Sequence, residues 1–347
     1  MNVGMYYRNS DVRVEEQDIP PVGNNDLLIK VMASGICGSD LMEWYRIKRA
    51  PLVLGHELAG DIVEVGKNIT EYTKGDRVFA THHVPCDECS YCLSGHTTAC
   101  RTFQEVNNFM PGGFSQYLRV TGRSVRTGVL RLPDEISYET GTFIEPLATV
   151  VRAMRTIGLA PGDSVMIYGS GLAGILFVKL AKALGAGVVI VSDISAYRLE
   201  MAKKAGADFV VQARENVPEF IARNNGRLAD KVVICTGAAS AAASALGSVE
   251  RGGVILFFAV APPGETLAVD FNPFWRNDIC IKTCYGAAPV DNRQALELLK
   301  QGTVKVSDMV THRFPIEEIG RAFATAAEPD GVLKVIIEPH RQVPVPQ

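Results

Sequence analysis

Val165-Met166-Ile167-Tyr168-Gly169-Ser170-Gly171-Leu172-Ala173-Gly174 is the stretch that decides how this chain folds. A compact apolar run ends on a G-x-G-x-x-G hexapeptide, and an apolar helical pattern, Leu172–Leu184, begins inside it. The hexapeptide alone carries little, because glycine is common and turns need it. Between a strand and a helix it acquires a physical meaning. Gly169 permits a tight turn, Gly171 lets backbone approach a pyrophosphate, and Gly174 allows close helix–strand packing. Leu172 and Ala173 open a helix whose N–H groups and positive dipole end favour an anion. Asp193 ends the next strand about 20 residues on, where a carboxylate accepts the ribose hydroxyls of NAD and repels a 2′-phosphate. The alternative is a strand-end Asp that caps the helix near Ser195–Tyr197. Arg198, one turn into that helix, would favour NADP; the carboxylate sits nearer the strand tip, so NAD is the better reading.

Outward from this stretch the chain has two grammars. From about Pro161, strands alternate with helices: Val165–Tyr168, Leu172–Leu184, Val188–Ser192, Tyr197–Ala205, Asp208–Val211, Lys231–Cys235 and Val254–Ala259. That alternation predicts a parallel sheet covered by helices. From Asn2 to about Thr140 the pattern is short strands, such as Asp26–Met32, Leu58–Val65 and Asp76–Ala80, between Gly, Pro and Asp turns. A β-rich, barrel-like domain is expected there. The segment from the helix Asn292–Lys300 to the strand Gly331–Glu338 has no nucleotide-binding features and is placed to return to the first domain. The fold class is α/β.

A length of 347 residues allows two domains with full cores, and 47% hydrophobic with 21% charged residues is ordinary for a soluble protein. A net charge of −3 gives no electrostatic reason to bind nucleic acid. Lys179, Lys182 and several glycines break the apolar stretch Ser164–Val191, and Gly253–Ala261 is too short to span a bilayer. Met1-Asn2-Val3-Gly4 does not read as a secretory leader. A cytoplasmic protein without membrane or nucleic-acid partners is expected.

Cys86, Cys89, Cys92 and Cys100 form a Cys-x2-Cys-x2-Cys-x7-Cys cluster. Four thiolates close a tetrahedral shell around one zinc and leave no position for substrate, so this lobe (86–100) reads as a structural zinc site. Disulfides are the alternative, and the low cysteine density argues against them. A second set of ligands is scattered: Cys37 in Gly35-Ile36-Cys37-Gly38-Ser39-Asp40, His56-Glu57 after Gly55, and Glu145 before Pro146. Cys, His and carboxylate with one open position make a catalytic zinc shell. Taken singly, Cys37 reads as a buried thiol, His56 as a satisfied core histidine and Glu145 as a salt-bridged acid. Adjacent strand side chains point to opposite faces, so His56 and Glu57 share a metal only if the chain bends, as Gly55 permits. Otherwise Glu57 stands behind the metal and Glu145 or water completes the shell.

Together these motifs, with Lys74-Gly75-Asp76-Arg77-Val78 and Glu145-Pro146-Leu147-Ala148, resemble the zinc-dependent medium-chain dehydrogenases, closest to the sorbitol-type polyol and threonine dehydrogenase branch. The resemblance runs nearly the whole chain. It implies a GroES-like catalytic domain (1–148), a Rossmann doubly wound domain (149–286) and a C-terminal return to the catalytic domain (287–347). Carried over by motif, Cys37, His56 and Glu57 match the catalytic zinc positions, and Glu145 matches a second acid that touches zinc or its water. Ser39 matches the hydroxyl that passes the substrate proton outward, and Thr149 a residue packed against the nicotinamide. Members of this branch usually carry a histidine where this chain has Met42, followed by Glu43 and Trp44.

The resemblance implies an NAD-dependent zinc enzyme with two zinc ions per chain, acting on a small-molecule secondary alcohol or its ketone. A polyol, cyclitol or sugar alcohol is the favoured substrate, and threonine or another amino alcohol the alternative. A non-catalytic nucleotide-binding protein is the remote one. A homo-oligomer, dimer or tetramer, is expected through the strand near Ile279–Tyr285.

Overall fold

Strand Val165–Tyr168 lies inside a six-stranded parallel sheet. The spatial order is Phe209–Gln212, Val189–Asp193, Val165–Tyr168, Ala229–Ile234, Val249–Phe257 and Cys280–Thr283. This is the doubly wound order, with its reversal between Val165–Tyr168 and Ala229–Ile234. Val165–Tyr168 is buried throughout, and Ala229–Ile234 ends in the buried β-branched run Val232-Val233-Ile234, as strands covered on both faces must be. The computed structural model describes residues 1–342. It divides into a unit made of Met1–Ala148 with the segment from Gly286 onward, and a second unit, Thr149–Tyr285.

In the second unit, helices Leu172–Ala183, Ala196–Lys204, Val217–Asn225 and Ala239–Leu246 connect successive strands. The last two, and the short helix Phe271–Arg276, go beyond the sequence reading. Ala239–Leu246 is Ala-Ser-Ala-Ala-Ala-Ser-Ala-Leu, which has almost no apolar periodicity to detect. Gly169 adopts φ +92°, and a Cβ on Gly174 would overlap the Gly169 carbonyl oxygen. The first glycine is therefore needed for backbone conformation and the third for closeness.

The first unit is β-rich. Its larger sheet runs Val310–Pro315, Lys334–Glu338, Leu27–Gly35, Glu57–Val65, Arg77–Ala80 and Val129–Arg131, with Tyr117–Val120 also pairing with Leu27–Gly35 and Phe109–Met110. A three-stranded sheet of Asp11–Glu16, Asn2–Arg8 and Leu52–Val53 completes it. The C-terminal segment is integral to this unit. Strand Lys334–Glu338 pairs antiparallel with Ser34 and Gly35. Phe314, Ile319, Phe323 and Ile337 share one apolar cluster with Tyr6, Ile36, Leu54 and Phe114. Burying each such side chain contributes about 1.5–3 kcal/mol, which holds the returning strand against the start of the chain. Gly286 belongs here rather than to the second unit, one residue short of the expected boundary; a Cβ on it would press on the Phe103 ring.

No helix among the described residues is long and apolar enough to cross a membrane.

Candidate functional site

The cysteine lobe is a sequence of tight turns: Cys89 precedes the helix Ser90–Leu93, and Cys100 precedes Arg101–Glu105. Cys86 and Cys92 sulfurs lie 4.0 Å apart, Cys89 and Cys92 3.6 Å, and Cys86 and Cys100 3.6 Å. A tetrahedral zinc with Zn–S near 2.3 Å requires sulfurs about 3.8 Å apart. A disulfide requires about 2.0 Å, so none of these pairs is bonded. Cys86 Sγ accepts the Cys89 backbone N–H, and Cys100 Sγ accepts that of Cys86. Burial raises the Cys100 thiol, but N–H donors from Cys86 and Phe103 outweigh it and bring it down to about 6. Cys92 goes the other way, to about 12, through burial and the neighbouring thiols. Four sulfurs this close cannot all ionise without a cation among them. The donor set fits one zinc with a closed shell.

The second constellation is assembled from distant segments. Cys37 caps the 3-10 turn Gly38–Leu41, while His56 and Glu57 enter the strand Glu57–Val65. Gly55, at φ +93°, turns the chain just before that strand, and the side chains of adjacent His56 and Glu57 reach one place. A Cβ on Gly55 would press on backbone at Gly113 and Phe114, which adds a packing reason for glycine. The ligand atoms of Cys37, His56 and Glu57 all lie within 4.8 Å of one another. Glu57 Oε1 is buried without a hydrogen-bond partner, an acceptor that a cation would satisfy. Burial lowers the imidazole of His56, but the Asp40 and Cys37 anions outweigh it and hold the group well above its ordinary range. This is a site built to receive positive charge. Its donors suit zinc with a further position open.

Glu145 stands in the first turn of helix Ile144–Ile157, is buried, and has its carboxyl raised, chiefly by burial. The charges of His56, Asp40 and Arg46 act on it, although it is not among the three side chains that converge within 4.8 Å. Thr149 lies one turn further along the same helix. Ser39 donates from its backbone N–H and its hydroxyl to Cys37 Sγ, each at 3.4 Å.

Four residues that the motifs did not single out complete this surround. Asp40 is fully buried and accepts the Cys37 backbone N–H at 3.0 Å, with His56 Nδ1 3.5 Å from its other oxygen. That anchors one imidazole nitrogen and leaves Nε2 to bind a metal. Arg46 donates to Ser39 Oγ at 2.8 Å and to Asp40 at 3.2 Å. Lys334 forms a wholly buried ion pair with Glu57 Oε2. His82, whose ring centroid is 5.8 Å from that of His56, is held neutral by burial and neighbouring positive charge. Signals existed for two of these: Asp40 follows Cys37 by one 3-10 turn, and Lys334 interrupts an apolar strand. Glu43 accepts the Asn9 backbone N–H, so its carboxylate is already engaged.

In the second unit, Asp193 is at the end of its strand, beside the glycine turn. One carboxylate oxygen accepts the Ser170 N–H at 2.6 Å and the Ser170 hydroxyl at 3.1 Å, and the other accepts the Ser195 N–H at 2.9 Å. The carboxylate is fixed in orientation by the loop it would serve. The helix-capping alternative is met by Ser195, whose hydroxyl accepts the Arg198 N–H. Arg198 Nε is buried without a hydrogen-bond partner among the described residues.

Two family models match the chain: the alcohol dehydrogenase GroES-like domain over residues 23–134 and the zinc-binding dehydrogenase over 173–301. The chain is 33% identical to a sorbitol dehydrogenase of Bacillus subtilis (strain 168), covering 98% of each. It is 32% identical to an L-threonine 3-dehydrogenase of Chelativorans sp. (strain BNC1), over 90% of this chain and 91% of that one. The structure of galactitol-1-phosphate dehydrogenase from Escherichia coli superposes with a TM-score of 0.84 at 26% identity, covering 98% of this chain and all of that one. Two sets of zinc donors, a doubly wound nucleotide-binding sheet and these whole-length likenesses lead to one assignment: the chain belongs to the zinc-dependent medium-chain alcohol and polyol dehydrogenase family.

Proposed function

We propose that this chain moves hydride between NAD and the secondary carbon of a polyol, cyclitol or sugar alcohol, interconverting alcohol and ketone. The observation that carries this reading is the convergence of Cys37, His56 and Glu57 around an orphaned carboxylate oxygen. Bound zinc supplies Lewis acidity toward the substrate hydroxyl, and bound NAD supplies the hydride acceptor. Cys37, His56 and Glu57 would hold the catalytic zinc, and Cys86, Cys89, Cys92 and Cys100 the structural one. Asp40 fixes the tautomer of His56. Lys334 offsets the charge of Glu57, so the ligand set leaves more of the metal's charge for substrate. Ser39 presents a hydroxyl to the reacting oxygen. Gly169, Gly171, Leu172, Ala173 and Gly174 would cradle the pyrophosphate, Asp193 would read the ribose, and Thr149 would pack on the nicotinamide.

Glu145 supports a polyhydroxylated substrate. A buried carboxylate near the metal donors accepts a hydrogen bond from a hydroxyl that flanks the reacting one, whereas a simple alcohol leaves it unpaired, at a cost of ~1–3 kcal/mol. The sorbitol dehydrogenase relative and the galactitol-1-phosphate dehydrogenase fold neighbour support the same class. The threonine dehydrogenase relative supports an amino alcohol as the second reading. A turnover screen of polyols, cyclitols, threonine and short secondary alcohols decides between them. Polyhydroxylated compounds should be fastest, and Glu145→Gln should slow them about 10-fold more than it slows simple alcohols. Faster turnover of threonine or plain alcohols than of every polyol would sink the assignment.

Strand Cys280–Thr283 is exposed along its length and pairs on one side with Val249–Phe257, with Trp275 84% exposed close by in sequence. An uncovered edge strand with aromatic neighbours is unstable against pairing. We infer a homo-oligomer that pairs through this edge, to be tested by solution mass of Ile281→Lys against the native chain. The free cysteines suit a reducing compartment, the cytoplasm.

A further inference from the structure

The family's usual histidine is replaced by Met42, which has no proton-carrying group. The structure puts a different residue on the Ser39 hydroxyl. Arg46 Nη2 donates to Ser39 Oγ at 2.8 Å, and Arg46 Nε donates to the Ser39 carbonyl at 3.0 Å. The same guanidinium donates to buried Asp40 at 3.2 Å and lies 4.7 Å over the Tyr45 ring. Its side chain is only 16% exposed. So many fixed contacts leave it little freedom to release Ser39.

We propose that Arg46 is the positioning residue for Ser39, fixing its hydroxyl as a donor to the reacting oxygen of the substrate. The inference rests on the dehydrogenase reading above. A serine hydroxyl has one donor and two acceptor sites. With Arg46 donating to the oxygen, the O–H is left to point at Cys37 Sγ, 3.4 Å away, or at a substrate oxygen beside it. A charged donor on the hydroxyl oxygen also polarises the O–H bond and makes it a stronger donor. Guanidinium has no acceptor lone pair, so no proton passes from Ser39 to Arg46. Arg46 is therefore not the next link of an outward relay: it holds Ser39 as a preorganised donor to an oxygen that carries negative charge, and the alcohol's proton leaves by another acceptor such as water.

The test is a double-mutant cycle with Ser39→Ala and Arg46→Met on zinc-loaded enzyme with NAD and a polyol. Each single change should lower kcat by about 10- to 100-fold with KM little altered, and the double variant should be hardly worse than either. Arg46→Lys, which keeps a charge opposite Asp40 but lacks the fork, should lose as much kcat as Arg46→Met. Losses that multiply in the double variant, or full activity in Arg46→Lys, overturn the proposal. Cobalt exchanged into the Cys37 site gives a readout independent of turnover. Arg46→Met should shift the thiolate-to-cobalt band in the same direction as Ser39→Ala, because both disturb the donor on Cys37 Sγ, with cobalt content unchanged. An unmoved band, or loss of the metal in Arg46→Met alone, also overturns it. If no secondary alcohol is oxidised by the native chain while the band shifts as expected, the dehydrogenase reading fails and the positioning of Ser39 by Arg46 stands.

Discussion

Lys334 and Glu57 form an ion pair from which water is wholly excluded. Gly35 makes the room: a Cβ there would overlap Lys334 Cε and Nζ and the Glu57 carboxylate. The pair joins the returning strand Lys334–Glu338 to the strand that begins at Glu57. Removing one partner of a buried pair leaves an uncompensated charge, at a cost of about 3–5 kcal/mol. Lys334→Met should therefore lower the unfolding free energy of the metal-free protein by an amount of that order, and the denaturant midpoint with it. Added zinc should recover part of the loss, because a cation again faces the freed carboxylate. Equal midpoints for native and variant chains without metal would show that the pair contributes nothing.

A histidine pair gives the pH dependence. His82 and His83 follow strand Arg77–Ala80, with ring centroids 3.8 Å apart, and His83 stacks on Phe103 at 4.7 Å. Burial, then the charges of His56 and Arg46, pulls His83 down to about 3. The folded state thus binds fewer protons than the unfolded chain between pH 6.5 and about 3. Stability is complete above 6.5 and falls as the pH drops through that window, with a limiting slope of ~1.4 kcal/mol per pH unit. Unfolding free energies from pH 7 to 4 should fall at least this steeply, and His83→Phe should remove its share and leave that of His82, which burial also holds low. A native chain whose stability is level down to pH 4 contradicts the depressed value.

Much of this was legible from the chain because the signals were local. The cysteine lobe and the glycine turn each lie within a few residues, and β-branched runs such as Val189–Asp193 announce buried strands. What stayed hidden is long-range. Lys334 meets a carboxylate 277 residues earlier, and nothing near either residue says so. Asp40 stands in a legible motif, but its purpose depends on His56, which a separate segment delivers. Whether adjacent His56 and Glu57 could turn to one place depends on the backbone torsions between them, which a sequence does not state.

Two zinc ions with different roles have a direct elemental test. Cys89→Ser breaks a closed four-sulfur shell and should lower zinc from two to one per chain while destabilising the lobe, since structural zinc contributes to folding. His56→Ala should also leave one zinc per chain, keep the thermal melt close to native, and abolish turnover. One zinc in the native chain, after loading and desalting, would falsify the two-site reading.

Cofactor choice turns on Asp193. Its oxygens already accept from Ser170 and Ser195, so the carboxylate is held rigid at the strand tip. A ribose diol adds donors to lone pairs that are still free, whereas a 2′-phosphate brings like charge against it. Arg198 lies on the next helix, with Nε unpartnered among the described residues, and would gain from a phosphate. The carboxylate is the nearer group to the turn that binds the cofactor, so NAD should be preferred. Asp193→Ala removes the repulsion and also frees the Ser170 N–H, so NAD efficiency should fall about 10- to 100-fold while NADP efficiency rises or holds. Zinc content should not change, because Asp193 shares no bond with either donor set. Measuring kcat/KM for both cofactors decides the matter: a native chain that uses NADP as well as NAD would mean that Arg198 outweighs the carboxylate.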